Sequence, residues 1–159
     1  MRGDVKVIEY LNAVLKGELT AVNQYWLHYR MLDNWGIKRL AAYERHESID
    51  EMKHADRLAE RILFLDGLPA MQALNRLRIG ETVPEILAAD LALEHEALTL
   101  LREAVVHSES VRDFGSRELF VEILEAEEEH VDFIETQLSM IEQMGLPNYL
   151  QLQSKPAEE

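Results

Sequence analysis

The sequence predicts an all-α protein, a four-helix bundle with one long crossover between helices two and three and a short C-terminal helix. Three observations predict it. No stretch alternates apolar and polar residues with the period of two that a half-buried strand requires. Apolar residues instead recur at steps of three and four along four long stretches. The seven glycines and four prolines are few for 159 residues, and most of them fall between those stretches.

Each element has its own start and stop signals. The predicted helices span residues 4–35, 38–65, 82–109, 114–144 and 148–153. Asp4 can cap the first helix, and Gly36 offers a left-handed stop behind it. Thr82-Val83-Pro84-Glu85 reads as a capping box with proline in the first turn. The fourth helix stops at Gly145, with Pro147 just beyond, and we expect a single domain over residues 1–159.

The connection between helices two and three decides the topology. Residues 66–81 have no strong periodicity, whereas short loops are the norm in helical bundles. Fully extended, these residues can reach roughly 50 Å, while a helix as long as the second is only about 40 Å. The connection can therefore climb the whole bundle, which makes helices two and three parallel and joins two antiparallel hairpins by one long crossover.

Composition and charge exclude several classes of function. The chain has 16 basic and 30 acidic residues and a net charge of −14, so it repels phosphate backbones, and we expect no nucleic-acid partner. It contains no cysteine, which excludes disulfides and iron–sulfur clusters and suits a cytoplasmic location. Apolar runs such as Ile62-Leu63-Phe64-Leu65 are too short to cross a bilayer, so we expect no membrane association.

Six acidic and imidazole positions form a matched set. Glu51-Met52-Lys53-His54 and Glu127-Glu128-Glu129-His130 are two copies of the motif Glu-x-x-His. Glu18 and Glu94 are separated by the same interval as the two motifs, so each of them precedes its motif by an equal distance in the chain. On a helix, Glu and His at i and i+3 share a face, so each motif directs a carboxylate and an imidazole at one point. Four carboxylates and two imidazoles are a ligand mixture for two iron or manganese ions.

The helix pattern places these six residues in the core. Each interrupts an apolar stripe near the middle of its helix, as Glu127 and His130 do between Ile123 and Ile134. Taken alone, any one of them is more readily explained as a surface residue out of register. Together they would repel one another in a core unless cations neutralised them, and the matched spacing therefore favours metal ligation.

At this point the sequence resembles the bacterioferritins, the haem-containing branch of the ferritin family. The resemblance covers nearly the whole chain and is strongest in His46-Glu47-Ser48-Ile49-Asp50-Glu51-Met52-Lys53-His54-Ala55-Asp56. It implies a ferroxidase that oxidises Fe(II) with O2 or H2O2 and stores iron in a 24-subunit shell built from two-fold dimers. The implied di-iron ligands are Glu18, Glu51, His54, Glu94, Glu127 and His130, with Glu51 and Glu127 bridging.

The resemblance implies three further features. Met52 would be the axial ligand of a b-type haem shared between two subunits, on an apolar face made by Leu19, Val22, Asn23, Trp26, Ile49 and Ala55. His46 and Asp50 would form an inner-surface iron site, although two solvated polar residues explain them equally well. A small ferredoxin would donate the electrons that release iron.

Other polar residues have less specific patterns. Tyr25 lies two turns after Glu18, either as a hydrogen-bond partner or radical trap of the centre or as an ordinary core tyrosine. His28, His95 and His107 have no partner at ligand spacing, and we predict that they are surface or interface residues.

Other functions remain open from the sequence. A di-iron or di-manganese oxidase or peroxidase of the rubrerythrin-like type shares the ligand set but normally adds a cysteine-rich segment. A ribonucleotide reductase subunit would be longer, and DNA-binding stress ferritins place their iron site between subunits. A haem electron-transfer bundle needs only Met52, and a plain helical interaction protein does not explain the buried carboxylates.

Overall fold

The computed structural model describes residues 1–156, and residues 157–159 of the expected domain lie outside the described part. Its helices are α1 Val5–Asn34, α2 Lys38–Phe64, α3 Val83–Ser110, α4 Phe114–Met144 and α5 Leu146–Gln153. Within residues 1–156 there is no strand, so the prediction of an all-α bundle with a short C-terminal helix is confirmed. Helix α5 begins at Leu146 because Gly145 takes a φ of 80° and Pro147 suits a first helical turn.

The helix ends follow from local chemistry. Asp4 accepts a hydrogen bond from the backbone N–H of Val7 at 2.9 Å, and Thr82 accepts one from Glu85 at 3.3 Å. These side chains satisfy N–H groups that have no partner in the first turn of a helix. Gly36 has a φ of 84°, a conformation that glycine adopts without the steric cost of a Cβ, so α1 turns sharply into α2.

The crossover, residues 65–82, is attached to α1 by a series of hydrogen bonds. Polar side chains spaced along α1 accept bonds from backbone N–H groups of the crossover: Asn12 from Ala70, Thr20 from Asn75, Gln24 from Arg78 and His28 from Gly80. The crossover therefore runs along α1 toward the end where α2 begins. Since α3 starts there, α2 and α3 are parallel.

The core changes in character along the axis of the bundle. One apolar cluster, around Leu11, Leu58 and Phe120, fills the end of the bundle near the start of α1. A second cluster, around Leu40, Leu87 and Tyr149, fills the other end and includes α5. Polar and charged side chains occupy the layer between these clusters. Across residues 1–156, no helix combines the length and apolar character needed to cross a membrane.

Candidate metal centre

Each of the four long helices contributes one glutamate to the middle of the bundle. Glu18, Glu51, Glu94 and Glu127 are only 1–3% exposed. Glutamates are rarely this deeply buried, because an ionised carboxylate loses its hydration unless a partner compensates. In the middle layer of the bundle, all four helices therefore pack around a cluster of acids and not around apolar side chains.

His54 completes one side of this cluster. Its Nδ1 lies 3.5 Å from Glu18 Oε2, 3.5 Å from Glu127 Oε1 and 3.8 Å from Glu51 Oε2. Each of the four residues Glu18, Glu51, His54 and Glu127 offers a ligand atom within 4.8 Å of the others. Donors this close together can surround one cation.

His130 completes the other side in the same way. Its Nδ1 lies 2.9 Å from Glu127 Oε2, 3.2 Å from Glu51 Oε1 and 3.6 Å from Glu94 Oε1. Ligand atoms of Glu51, Glu94, Glu127 and His130 again lie within 4.8 Å of one another. Glu51 and Glu127 belong to both groups, which is the geometry expected of two carboxylates shared between two neighbouring ions.

Several buried polar atoms of this cluster have no hydrogen-bond partner. Five polar atoms in it are buried and make no hydrogen bond: Glu18 Oε2, Glu51 Oε1, Glu94 Oε2, Glu127 Oε1 and His54 Nδ1. A buried polar atom without a partner costs about 1–3 kcal/mol, so five of them in one place are a heavy cost to the fold. Hard oxygen donors and two imidazole nitrogens suit iron or manganese, and the residues therefore fit a pair of such ions.

The proton affinities in the cluster reflect the same excess of negative charge. Burial alone would lower the pKa of His54, but the neighbouring carboxylates of Glu127 and Glu51 outweigh it and raise the pKa to about 9. Burial likewise disfavours protonated His130, and Glu127 and Glu47 reverse this and raise its pKa far above the usual value. Burial and the charge of Glu127 raise the pKa of Glu94. In the metal-free cluster, bound protons therefore offset part of the negative charge of the carboxylates.

Two further residues position the ligands. The Tyr25 hydroxyl, which is fully buried, donates a hydrogen bond to Glu94 Oε1. Glu47 contacts Nε2 of His130, the ring nitrogen that faces away from the centre. A carboxylate on the outer nitrogen fixes the ring so that Nδ1 stays directed at the metal position.

A polar cleft between α2 and α4 leads to His130. It is lined by the residues His46, Glu47, Asp50, Glu129 and His130, with the stacked rings of Tyr43 and Phe133 at one side. His46 and Glu129 are exposed at its outer end, whereas Glu47 and His130 are buried at its inner end. His46 Nε2 lies 3.1 Å from Asp50 Oδ2. These two predicted iron ligands thus lie at the mouth of the cleft and are paired with each other.

Met52 lies outside the bundle, with 42% of its surface exposed. One turn earlier on α2, Ser48 borders a surface groove with Val22, Trp26 and Leu77. The apolar face is smaller than the sequence predicted. Leu19 and Ala55 are buried in the core cluster, because they face the other helices of their own chain.

The prediction that His28 is a surface or interface residue is wrong. His28 is fully buried in a second polar cluster, which we call the crossover anchor: Gln24, His28, Glu44 and Asp90. Asp90 Oδ1 lies 2.9 Å from His28 Nδ1 and accepts a hydrogen bond of 2.9 Å from Gln24. The Gly80 N–H donates to His28 Nε2 at 3.0 Å, so the ring proton is on Nδ1 and is donated to Asp90. Both ring nitrogens of His28 therefore have hydrogen-bond partners within the fold.

Sequence reasoning did not single out Asp90. A signal was present, because Asp90 lies three residues after Leu87 and four before Glu94, both on the core stripe of α3. An acidic residue on that stripe outside the matched set indicates a second polar site in the core.

The fold and site together define a four-helix bundle protein with a candidate two-metal centre inside a single chain. Residues 8–144 match the family model described as a ferritin-like domain. The chain is 48% identical over 158 residues to a bacterioferritin of Rhodobacter capsulatus, covering 99% of this chain and 98% of that one. It is 50% identical over 159 residues to a bacterioferritin of Brucella melitensis, covering 100% and 99%. A bacterioferritin of Mycobacterium tuberculosis is 48% identical over 145 residues, covering 91% of each chain. The chain belongs to the ferritin family.

Proposed function

We propose that this protein is an iron-storage ferroxidase. The observation that carries the proposal is the convergence of four buried glutamates and two histidines, one glutamate from each long helix, on a point where five polar atoms lack hydrogen bonds. Similarity to bacterioferritins over the full chain supports the same function.

The reaction needs two Fe(II) ions as substrate. Each gives one electron to a shared oxidant, so that O2 takes up two electrons and two protons and becomes H2O2, or H2O2 becomes two waters. Glu18 and His54 hold one ion, Glu94 and His130 hold the other, and Glu51 and Glu127 bridge them. Tyr25 orients Glu94 through its hydroxyl, and Glu47 orients His130. Hard carboxylates favour the Fe(III) product over Fe(II), which drives the oxidation.

The polar cleft between α2 and α4 suits the passage of iron. Its carboxylates and imidazoles replace part of the hydration shell of a cation between the surface and His130. We assign His46 and Asp50 at its mouth as an additional iron site.

Storage requires a closed container, and we propose a homo-oligomeric shell of 24 subunits built from two-fold dimers. A two-fold contact through the exposed face of α1 and α2 would bring Met52 of both subunits to one b-type haem. The exposed thioether fits an axial ligand, and such a ligand favours Fe(II) haem and raises its reduction potential. A small ferredoxin is the proposed electron donor for iron release.

The decisive experiment compares wild type with the double variant Glu127→Ala/His130→Ala. Metal-free protein is mixed anaerobically with Fe(II), oxygen is admitted, and the appearance of Fe(III) is followed by absorbance. We expect a fast phase that saturates near two Fe(II) per chain in wild type and is lost in the double variant. The control is Glu125→Ala/Glu128→Ala, which removes two exposed glutamates from the same helix. A fast phase that survives in the double variant would refute the proposal.

A further inference from the structure

A cavity on the α1–α3 side of the bundle adjoins the metal centre. Its volume is about 70 Å³, several times the roughly 10–15 Å³ that one water molecule needs. Its inner wall is made by Glu18, Glu51, Glu94 and Glu127, and its outer wall includes the exposed residues Asn75 and Glu96. The cavity therefore spans the distance from the surface to the metal position.

The walls between these two ends are apolar and small. They are formed by one face of each helix, with Ala13, Gly17 and Ala21 on α1 and Leu93, Ala97 and Leu100 on α3. A Cβ added to Gly17 would meet no atom within 4 Å, so the absence of a side chain at this position leaves space open. The carboxylate at the outer mouth, Glu96, is neutralised by an ion pair with Arg78.

The inner end of the cavity is chemically different from its walls. Glu18 Oε2 and Glu94 Oε2 are buried, border the cavity and have no hydrogen-bond partner. They belong to opposite sides of the metal centre, so the cavity opens onto both metal positions. A molecule that crosses it arrives where two bound ions can act on it together.

The two approaches to the centre suit different molecules. The α2–α4 cleft is lined by His46, Glu47, Asp50 and Glu129, which attract and partly coordinate a cation. A hydrated cation in the α1–α3 cavity would lose hydration without gaining ligands along the apolar walls. A small neutral molecule has no such cost there, and apolar cavities accept such guests.

We propose that the α1–α3 cavity is the route by which the neutral oxidant, O2 or H2O2, reaches the metal centre, with Gly17 setting its width. This inference rests on the proposed ferroxidase function. It assigns the oxidant and the iron to opposite sides of the bundle, so that iron waiting at the α2–α4 cleft does not block the oxidant.

The test narrows the cavity and leaves the ligands in place. Gly17→Leu fills the open space and suits a helix better than glycine does. Ala97→Leu narrows the cavity from the α3 wall. The matched control is Ala88→Leu, which adds the same atoms to an exposed position of α3 away from the cavity. A Co(II) titration first establishes that each variant binds two ions per chain and so keeps an intact centre.

Each protein is then loaded anaerobically with two Fe(II) per chain and mixed rapidly with O2. We expect the second-order rate constant for O2 to fall about tenfold or more in Gly17→Leu and Ala97→Leu, equivalent to roughly 1.4 kcal/mol on the barrier to passage. Gly17→Ala should give a smaller decrease, and Ala88→Leu should match wild type. Wild-type rates in both narrowed variants, or an equal decrease in Ala88→Leu, would overturn the proposal.

A second readout separates this proposal from the ferroxidase function. Nitric oxide is a neutral diatomic molecule that binds Fe(II) without turnover, and its association can be followed by absorbance. It should bind more slowly in Gly17→Leu than in wild type even if wild type shows no fast oxidation of two Fe(II). If wild type shows no fast oxidation phase, the ferroxidase function is refuted but the route is not. If nitric oxide binds Gly17→Leu and wild type at the same rate, the route is refuted.

Discussion

The metal centre and the crossover anchor are two buried polar clusters in one bundle, and they differ in how their hydrogen bonds are satisfied. Both bury carboxylates and a histidine almost completely. In the crossover anchor, each ring nitrogen of His28 has a partner, and Gln24 both donates to Asp90 and accepts from Arg78. In the metal centre, four glutamates each retain an unpartnered oxygen.

Burial alone therefore does not identify a ligand site. The two oxygens left over in the crossover anchor, Asp90 Oδ2 and Glu44 Oε2, need only one proton between them. The acceptors of the metal centre outnumber its donors, and two imidazole rings cannot serve four carboxylates. A fold that keeps such an excess needs cations, whereas the crossover anchor is a structural element that holds the crossover against α1.

The largest effect should come from adding metal. Co(II) at about 1,000 times its dissociation constant should stabilise the folded chain by about 4 kcal/mol per site, or about 8 kcal/mol for two. Glu51→Gln should lose most of this gain, because Glu51 belongs to both ligand groups. The measurement is unfolding with and without Co(II) at fixed protein concentration. Equal stabilisation of wild type and Glu51→Gln would contradict the assignment of the centre.

Removal of Asp90 should destabilise the metal-free protein but leave Co(II) binding intact. Asp90→Ala leaves the buried donors His28 Nδ1–H and Gln24 Nε2–H without an acceptor. Each costs about 1–3 kcal/mol, so the free energy of unfolding should fall by about 2–6 kcal/mol. Urea unfolding of the metal-free protein measures this loss, with the exposed Asp132→Ala as control. Co(II) should still bind at two per chain, and loss of that stoichiometry would show that the two clusters are not separate.

The stability of the metal-free protein should depend on pH through His54 in the metal centre. His54 has a pKa of about 9 in the folded chain against 6.5 when unperturbed. Its contribution to stability is therefore complete below pH 6.5 and is lost as the pH rises through 9, about 3 kcal/mol in total. The difference in unfolding free energy between wild type and His54→Gln, measured from pH 6 to 10, should shrink by this amount. A difference that grows with pH would show that the charged imidazole is not what stabilises the metal-free centre.

Much of the fold could be predicted from the sequence because its determinants are local. The helix caps made by Asp4 and Thr82 and the turn at Gly36 depend on residues close in the chain, so they follow from the local sequence. The attachment of the crossover could not be predicted in this way. Gly80 donates to His28 across 52 residues, and residues 66–81 carry no periodicity that would indicate their partners.

The metal centre is an exception among long-range features. Its members lie on four different helices. The sequence still links them, because Glu18 and Glu94 are separated by the same interval as the two Glu-x-x-His motifs. His28 and Asp90 have no counterpart in that repeat, and their contact joins residues 62 positions apart. Spacings of i+3 and i+4 along one helix therefore do not indicate that His28 and Asp90 meet in the core.

The smallest change in stability should come from Glu44→Gln. A small change would distinguish Glu44 from the buried glutamates of the metal centre. Burial and the neighbouring charge of Asp90 raise the pKa of Glu44 well above its usual value, so the fold favours the neutral acid. A glutamine has nearly the same shape and offers an N–H to Asp90 in place of the acid O–H, so the free energy of unfolding should change by less than about 1 kcal/mol. The same substitution at Glu51, which is equally buried, should remove most of the stabilisation by Co(II). Urea unfolding and Co(II) titration of both variants measure the contrast. If Glu44→Gln also reduced the Co(II) stoichiometry, Glu44 would be part of the metal centre, and the boundary between the two clusters would have to be redrawn.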